Sequence, residues 1–187
     1  MRPADAAAGP ARAESAMTDV PPPVSDRDRA IVAAQLGRAP RAIRAVAHRC
    51  RCGHPDVVET SPRLPDGTPF PTLYYLTCPR AAAAIGTLEA SGLMTAMSAR
   101  LAEDPELATR HRAAHEAYLV RRRQLGDVPE IATVSAGGMP TRVKCLHVLV
   151  AHSLAAGPGV NPLGDEALGR LASWGDAGPC VSAHEPS

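Results

Sequence analysis

Aromatic residues are scarce in this 187-residue chain, which has one Trp, one Phe and three Tyr. That scarcity removes the stacking platforms on which single-strand nucleic-acid binders rely. It leaves the core to Ala, Leu, Val and Ile, because hydrophobic residues still make up 45% of the chain. An excess of one charge is lacking too: 20 Lys and Arg stand against 19 Asp and Glu, for a net charge of +1. Such a balance argues against a protein whose main task is to coat nucleic acid or an anionic membrane. No apolar run approaches the roughly 18 residues of a membrane span. The stretch from Met1 to Met17 carries two Arg but no apolar segment of the kind a signal peptide needs. The five cysteines are odd in number and irregularly spaced, so they do not read as a disulfide framework. Reduced thiols and a cytoplasmic location are expected. No cofactor is implied, and no internal repeat is present.

What is there fits one domain with a real core. Residues 1–24, rich in Ala, Pro and charge, read as a disordered tail, with Met17 as a second candidate start. Residues 25–174 read as a single α+β domain, and residues 175–187 as a second tail. Ser25 or Asp26 caps a helix that ends at Gly37. Segments leading to His48-Arg49-Cys50, from Asp56 to Thr60 and from Thr72 to Thr77 read as three strands of a small, mostly antiparallel sheet. From Pro79 onward the periodicity is helical, and four to six helices are expected in all. Pro79 and Pro105 suit first-turn positions, and Gly92 is a stop. Val128 to Val134 reads as a strand or a loop, and a last short helix runs to about Trp174.

Chemistry-bearing side chains concentrate between Ser135 and His152. A Gly137-Gly138 loop leads to Pro140, from which a helix to about Ala156 is expected. Unpaired amides and the dipole at such a helix start favour an anion. Gly137 and Gly138 allow close approach, Arg142 and Lys144 supply charge, and Arg63 and Asn161 join from neighbouring loops. A true phosphate loop is absent, because the Gly-x-x-x-x-Gly-Lys-Ser/Thr spacing does not occur. Cys145 and His147 are the candidate catalytic pair. On a helix, however, they stand about 160° apart, which excludes a shared metal. A base for Cys145 must then come from elsewhere, His48 or His54. His152 lies about 10 Å further along the axis than Cys145.

The segments Pro65 to Leu76, Ser135 to His152 and Gly157 to Pro162 resemble a bacterial family, domain of unknown function number 501. The resemblance spans about Asp26 to Leu171. It implies no activity, substrate or cofactor. Members are often encoded near a septum-formation initiator protein and an exopolyphosphatase, and a Cys like Cys50 recurs while positions 52 and 78 vary.

Three readings follow. The first is a small-ligand domain binding a phosphorylated or carboxylated compound. The second is a non-catalytic interaction protein linked to cell division or envelope partners. The third is a zinc-stabilised module. For zinc, Cys50 and Cys52 would share a strand face and Cys78 would meet them from the next strand, with Cys145 or a His completing the set.

Overall fold

The computed structural model describes residues 23–182, so the expected tail is outside the described residues up to position 22 and again from 183. Ser25 Oγ accepts the Asp28 N–H at 3.1 Å and opens α1 (Asp26–Leu36), which Gly37 ends with φ 66°. Three strands follow: β1 (Ile43–Arg49), β2 (Pro55–Thr60) and β3 (Tyr74–Leu76). They form one antiparallel sheet in the order β1-β2-β3. Helices α2 (Pro79–Ala90), α3 (Leu93–Glu103), α4 (Pro105–Leu125), α5 (Leu146–Ala156) and α6 (Pro162–Gly169) complete the α+β fold. Asp104 caps α4 by accepting the Leu107 N–H at 2.9 Å.

The central strand β2 is buried along its whole length. Its alternation feeds two cores. Val58 packs with Val24, Val32 and Ile43 beneath α1. Val57 belongs to the larger core, with Leu146, Leu149 and Val150 of α5. A helix as uniformly apolar as Leu146-His-Val-Leu-Val-Ala is stable only when surrounded. Accordingly, α5 packs against the sheet, α2 and α6. Asp56 Oδ1 pairs with His48 at 2.7 Å, its Oδ2 being buried without a partner among the described residues, and Glu59 pairs with Arg121 at 2.7 and 3.1 Å.

The expected helix from Pro140 starts six residues later, at Leu146. Gly137 and Gly138 take φ values of 70° and 94°, and the Met139–Pro140 peptide is cis. The Lys144 N–H donates to the Gly137 carbonyl at 2.7 Å, and the Arg142 N–H to that of Gly138 at 3.2 Å. These bonds close residues 137–144 into a loop so tight that a Cβ on Gly138 would stand 2.8 Å from the Arg142 oxygen. Val128 to Val134 holds a 3-10 turn (Pro129–Ile131), not a strand, and the last helix stops at Gly169, short of Trp174. Residues 175–182 lie against the domain: Arg80 donates to the Gly178 carbonyl at 2.8 Å, and Gln35 to Cys180 Sγ at 3.2 Å. Among the described residues no helix is long and apolar enough to cross a membrane.

Tyr118 of α4 ties the helical layer to the approach to β3. Fully buried, its hydroxyl accepts the Leu73 N–H at 2.5 Å and donates to the Pro71 carbonyl at 3.3 Å. Tyr118→Phe keeps the ring and strands a buried N–H. It should destabilise the fold by about 1–3 kcal/mol in urea denaturation.

Candidate functional site

The residues expected to hold an anion do not assemble at a helix start. Arg142 and Lys144 are exposed on the 137–144 loop. Arg63 is taken up by Glu130, which accepts from it at 2.8 and 2.7 Å. Asn161 is buried and caps α6, accepting the Gly164 N–H at 3.0 Å and donating to His152 Nδ1 at 3.2 Å. His152 itself stacks on Tyr74, with ring centroids 5.7 Å apart. Burial holds it down to about 4, so it is a neutral core residue.

A different group forms at the true start of α5. Cys145 is the residue before the helix and is extended, with φ −156° and ψ 115°. The 160° separation therefore does not apply, because it presumes that both residues are helical. Cys145, His147 and Glu89 of α2 bring their ligand-type atoms within 4.8 Å of one another. Glu89 Oε1 accepts the Leu146 N–H at 2.6 Å and faces His147 Nδ1 at 3.1 Å. His147 Nε2 lies 3.1 Å from the Ala82 carbonyl.

Both ring nitrogens of His147 thus point at acceptors, an arrangement that only the doubly protonated imidazolium satisfies. The adjacent Cys145 sulfur raises its pKa most, burial opposes, and the Glu89 carboxylate adds to the rise, which reaches about 9. Burial pushes Glu89 up, but the His147 and Leu146 hydrogen bonds outweigh it and hold the carboxyl below its usual range. No lone pair of His147 is left for a metal, so this trio is an ion pair beside a thiol. The internal carboxylate occupies the helix start at which an external anion was expected. His48 is engaged by Asp56 at 2.7 Å and His54 lies 3.9 Å from Cys180, so neither serves as a base for Cys145.

Cys145 and His147 line a cavity of about 530 Å³, whose other walls include Gln35, Leu36, Tyr74, Tyr75 and Thr77. Among the described residues, neither Glu89 nor any other Asp, Glu, Lys or Arg lines it. A neighbouring cavity of about 430 Å³ shares Leu36 and Tyr75 and carries Arg38 and Arg41, both exposed.

The expected sharing of a strand face by Cys50 and Cys52 does not occur, because β1 ends at Arg49 and both lie in the turn to β2. Cys50 Sγ sits against Gly175, where a Cβ would stand 2.7 Å from it. The Cys52 side chain meets Cys50 as well as His54 and Cys180. Cys78, buried at the start of α2, adjoins Cys180.

A protein-family model described as a protein of unknown function, DUF501, matches residues 46–169. The chain belongs to the DUF501 family. No curated protein and no solved structure matches it. The DUF501 match contains Glu89, Cys145 and His147, and ends before Cys180. Sequence reasoning missed Glu89 and Cys180. Glu89 is the only charged residue between Arg80 and Arg100, and a lone acid in an apolar stretch is a signal of internal use. Cys180 is hidden in a segment whose composition reads as a tail.

The His147 charge has a pH signature. Its folded pKa of about 9 exceeds the unfolded value of 6.5, so its stabilising contribution is complete below 6.5 and disappears as pH rises through about 9. Glu89→Gln should lower the His147 pKa in an NMR titration. It should also move the alkaline loss of stability, followed by urea denaturation, to lower pH.

Proposed function

We propose that this DUF501 protein is a small-ligand domain whose site is the cavity lined by Cys145 and His147. The single observation that carries the reading is the asymmetry of the ion pair. The imidazolium of His147 faces the cavity, and the Glu89 carboxylate does not. One fixed, half-buried positive charge on an otherwise uncharged wall suits one negative charge on the ligand. The rest of the lining, Leu36, Tyr74, Tyr75, Leu76 and Val148, suits an apolar body. That combination favours a carboxylated compound over a phosphorylated one, because a phosphate carries more charge than this wall offsets. The volume of about 530 Å³ is in the usual range for small-molecule sites. The exposed guanidinium groups of Arg38 and Arg41 are screened by solvent and contribute less.

A thermal-shift screen of small carboxylates and phosphorylated compounds tests this, followed by calorimetry on the best ligand. A carboxylate with an apolar body should stabilise the protein. His147→Gln should weaken its binding by about tenfold, the worth of a through-space attraction to a half-buried charge, because both ring N–H groups are already donated to Glu89 and the Ala82 carbonyl. Binding should also be lost as pH rises through about 9, where His147 loses its proton. Arg38→Ala with Arg41→Ala should leave binding unchanged; its loss in that variant relocates the site to the neighbouring cavity. Absence of stabilisation by any anion overturns the reading.

A further inference from the structure

A second cluster of metal-ligating groups lies beyond Gln35, one wall of that cavity, where three distant parts of the chain meet. The turn between β1 and β2 brings Cys52 and His54. It is held tight by the Cys50 N–H on the His54 carbonyl at 2.9 Å and the Gly53 N–H on the Cys50 carbonyl at 2.8 Å. The C-terminal segment brings Cys180. The ligand atoms of Cys52, His54 and Cys180 all lie within 4.8 Å of one another. Cys180 Sγ is 3.9 Å from His54 Nδ1. In a tetrahedral zinc site with Zn–S about 2.3 Å and Zn–N about 2.0–2.1 Å, neighbouring ligand atoms are about 3.5–3.8 Å apart. The observed separation therefore needs only a small contraction. Cys78 adjoins Cys180 from the start of α2; its sulfur stands outside the group of three, and closure of the site on an ion would draw it in as the fourth ligand.

We propose that Cys52, His54, Cys78 and Cys180 form a structural zinc site. Four protein ligands leave no open position, which is the mark of a structural rather than a catalytic zinc. The surroundings fit a thiolate cluster. Gln35 Nε2 donates to Cys180 Sγ at 3.2 Å and to the Pro55 carbonyl at 2.7 Å, so one amide orients a ligand and anchors itself to β2. An ion can enter from the surface depression that Cys52 and His54 share with Arg49 and Pro179. Binding displaces the protons of the Cys52, Cys78 and Cys180 thiols, one from each, and takes His54 as the neutral ring. Cys50 touches Cys52, but its sulfur packs against Gly175 and it stays outside the set. The metal pins residues 175–182 to the hairpin and to α2. In a chain with so few aromatic side chains, such a cross-link supplements a core of small residues.

The full chain, purified under reducing conditions, is analysed for metal by inductively coupled plasma mass spectrometry. About one zinc per chain is expected. Chelation should lower Tm by on the order of 10 °C. Replacement by Co(II) should give the intense visible bands and thiolate charge transfer of a tetrahedral site with three sulfurs and one nitrogen. Cys180→Ser and Cys52→Ser should each lose the metal, whereas Cys145→Ser and Cys50→Ser should retain it. The cobalt spectrum of the unaltered chain keeps the test valid if a variant fails to fold. Lack of stoichiometric metal together with no cobalt charge transfer overturns the proposal. So does a mass two hydrogens below that of the reduced chain, which assigns these thiols to a disulfide. Loss of metal from Cys145→Ser alone overturns it in favour of the Cys145 cluster. None of these readouts depends on ligand binding at the His147 cavity.

Discussion

Helix α5 begins inside the protein, and its first amide must find an acceptor there. An unpaired buried N–H costs as much as a lost hydrogen bond. The acceptor is Glu89 of α2, 2.6 Å from the Leu146 nitrogen. Much of the molecule follows from that contact. It holds the last turn of α2 against the first turn of α5, and so places the central apolar helix under the sheet. It turns His147 so that Nδ1 faces Glu89 and Nε2 faces the Ala82 carbonyl, fixing a positive charge in a half-buried position. It leaves Cys145 extended and beside that charge.

A related constraint governs β2. Covered on both sides, the strand nevertheless carries Asp56, Glu59 and Thr60. Each needs a partner that reaches it from outside the strand. His48 comes from β1, Arg121 from α4, and the carbonyl of Thr72 accepts from Thr60 Oγ1 at 2.5 Å. These pairs secure β1, α4 and the approach to β3 to the central strand. They also account for Arg121 and Arg122 at the end of α4. Arg121 binds Glu59, and Arg122, buried, donates to the carbonyls of Pro71 and Ile131. The arginine run Arg121-Arg122-Arg123 is therefore partly internal structure.

The readable parts of the fold are those set by local chemistry. Ser25 and Gly37 bound α1, Asp104 and Pro105 open α4, and Gly92 ends the α2 region, as their capping preferences require. The candidate site was legible only in part. Cys145 and His147 stand out by residue type, but their relation depends on where the helix begins. Pro140 is a good first-turn residue in isolation. Here the Gly137 and Gly138 carbonyls accept the Lys144 and Arg142 amides instead, and the segment closes as a loop. Six residues of displacement reversed the geometric argument about Cys145 and His147.

The sequence by itself determined the α+β class, the sheet-forming and helix-forming regions and the composition of the core, because these follow from spacing and local propensity. Tertiary structure alone decided which polar groups meet. Glu89 reaches His147 across 58 positions, and Cys180 reaches His54 across 126. Contacts at that separation are set by how helices and sheet close on one another to bury apolar surface, and no local pattern encodes them.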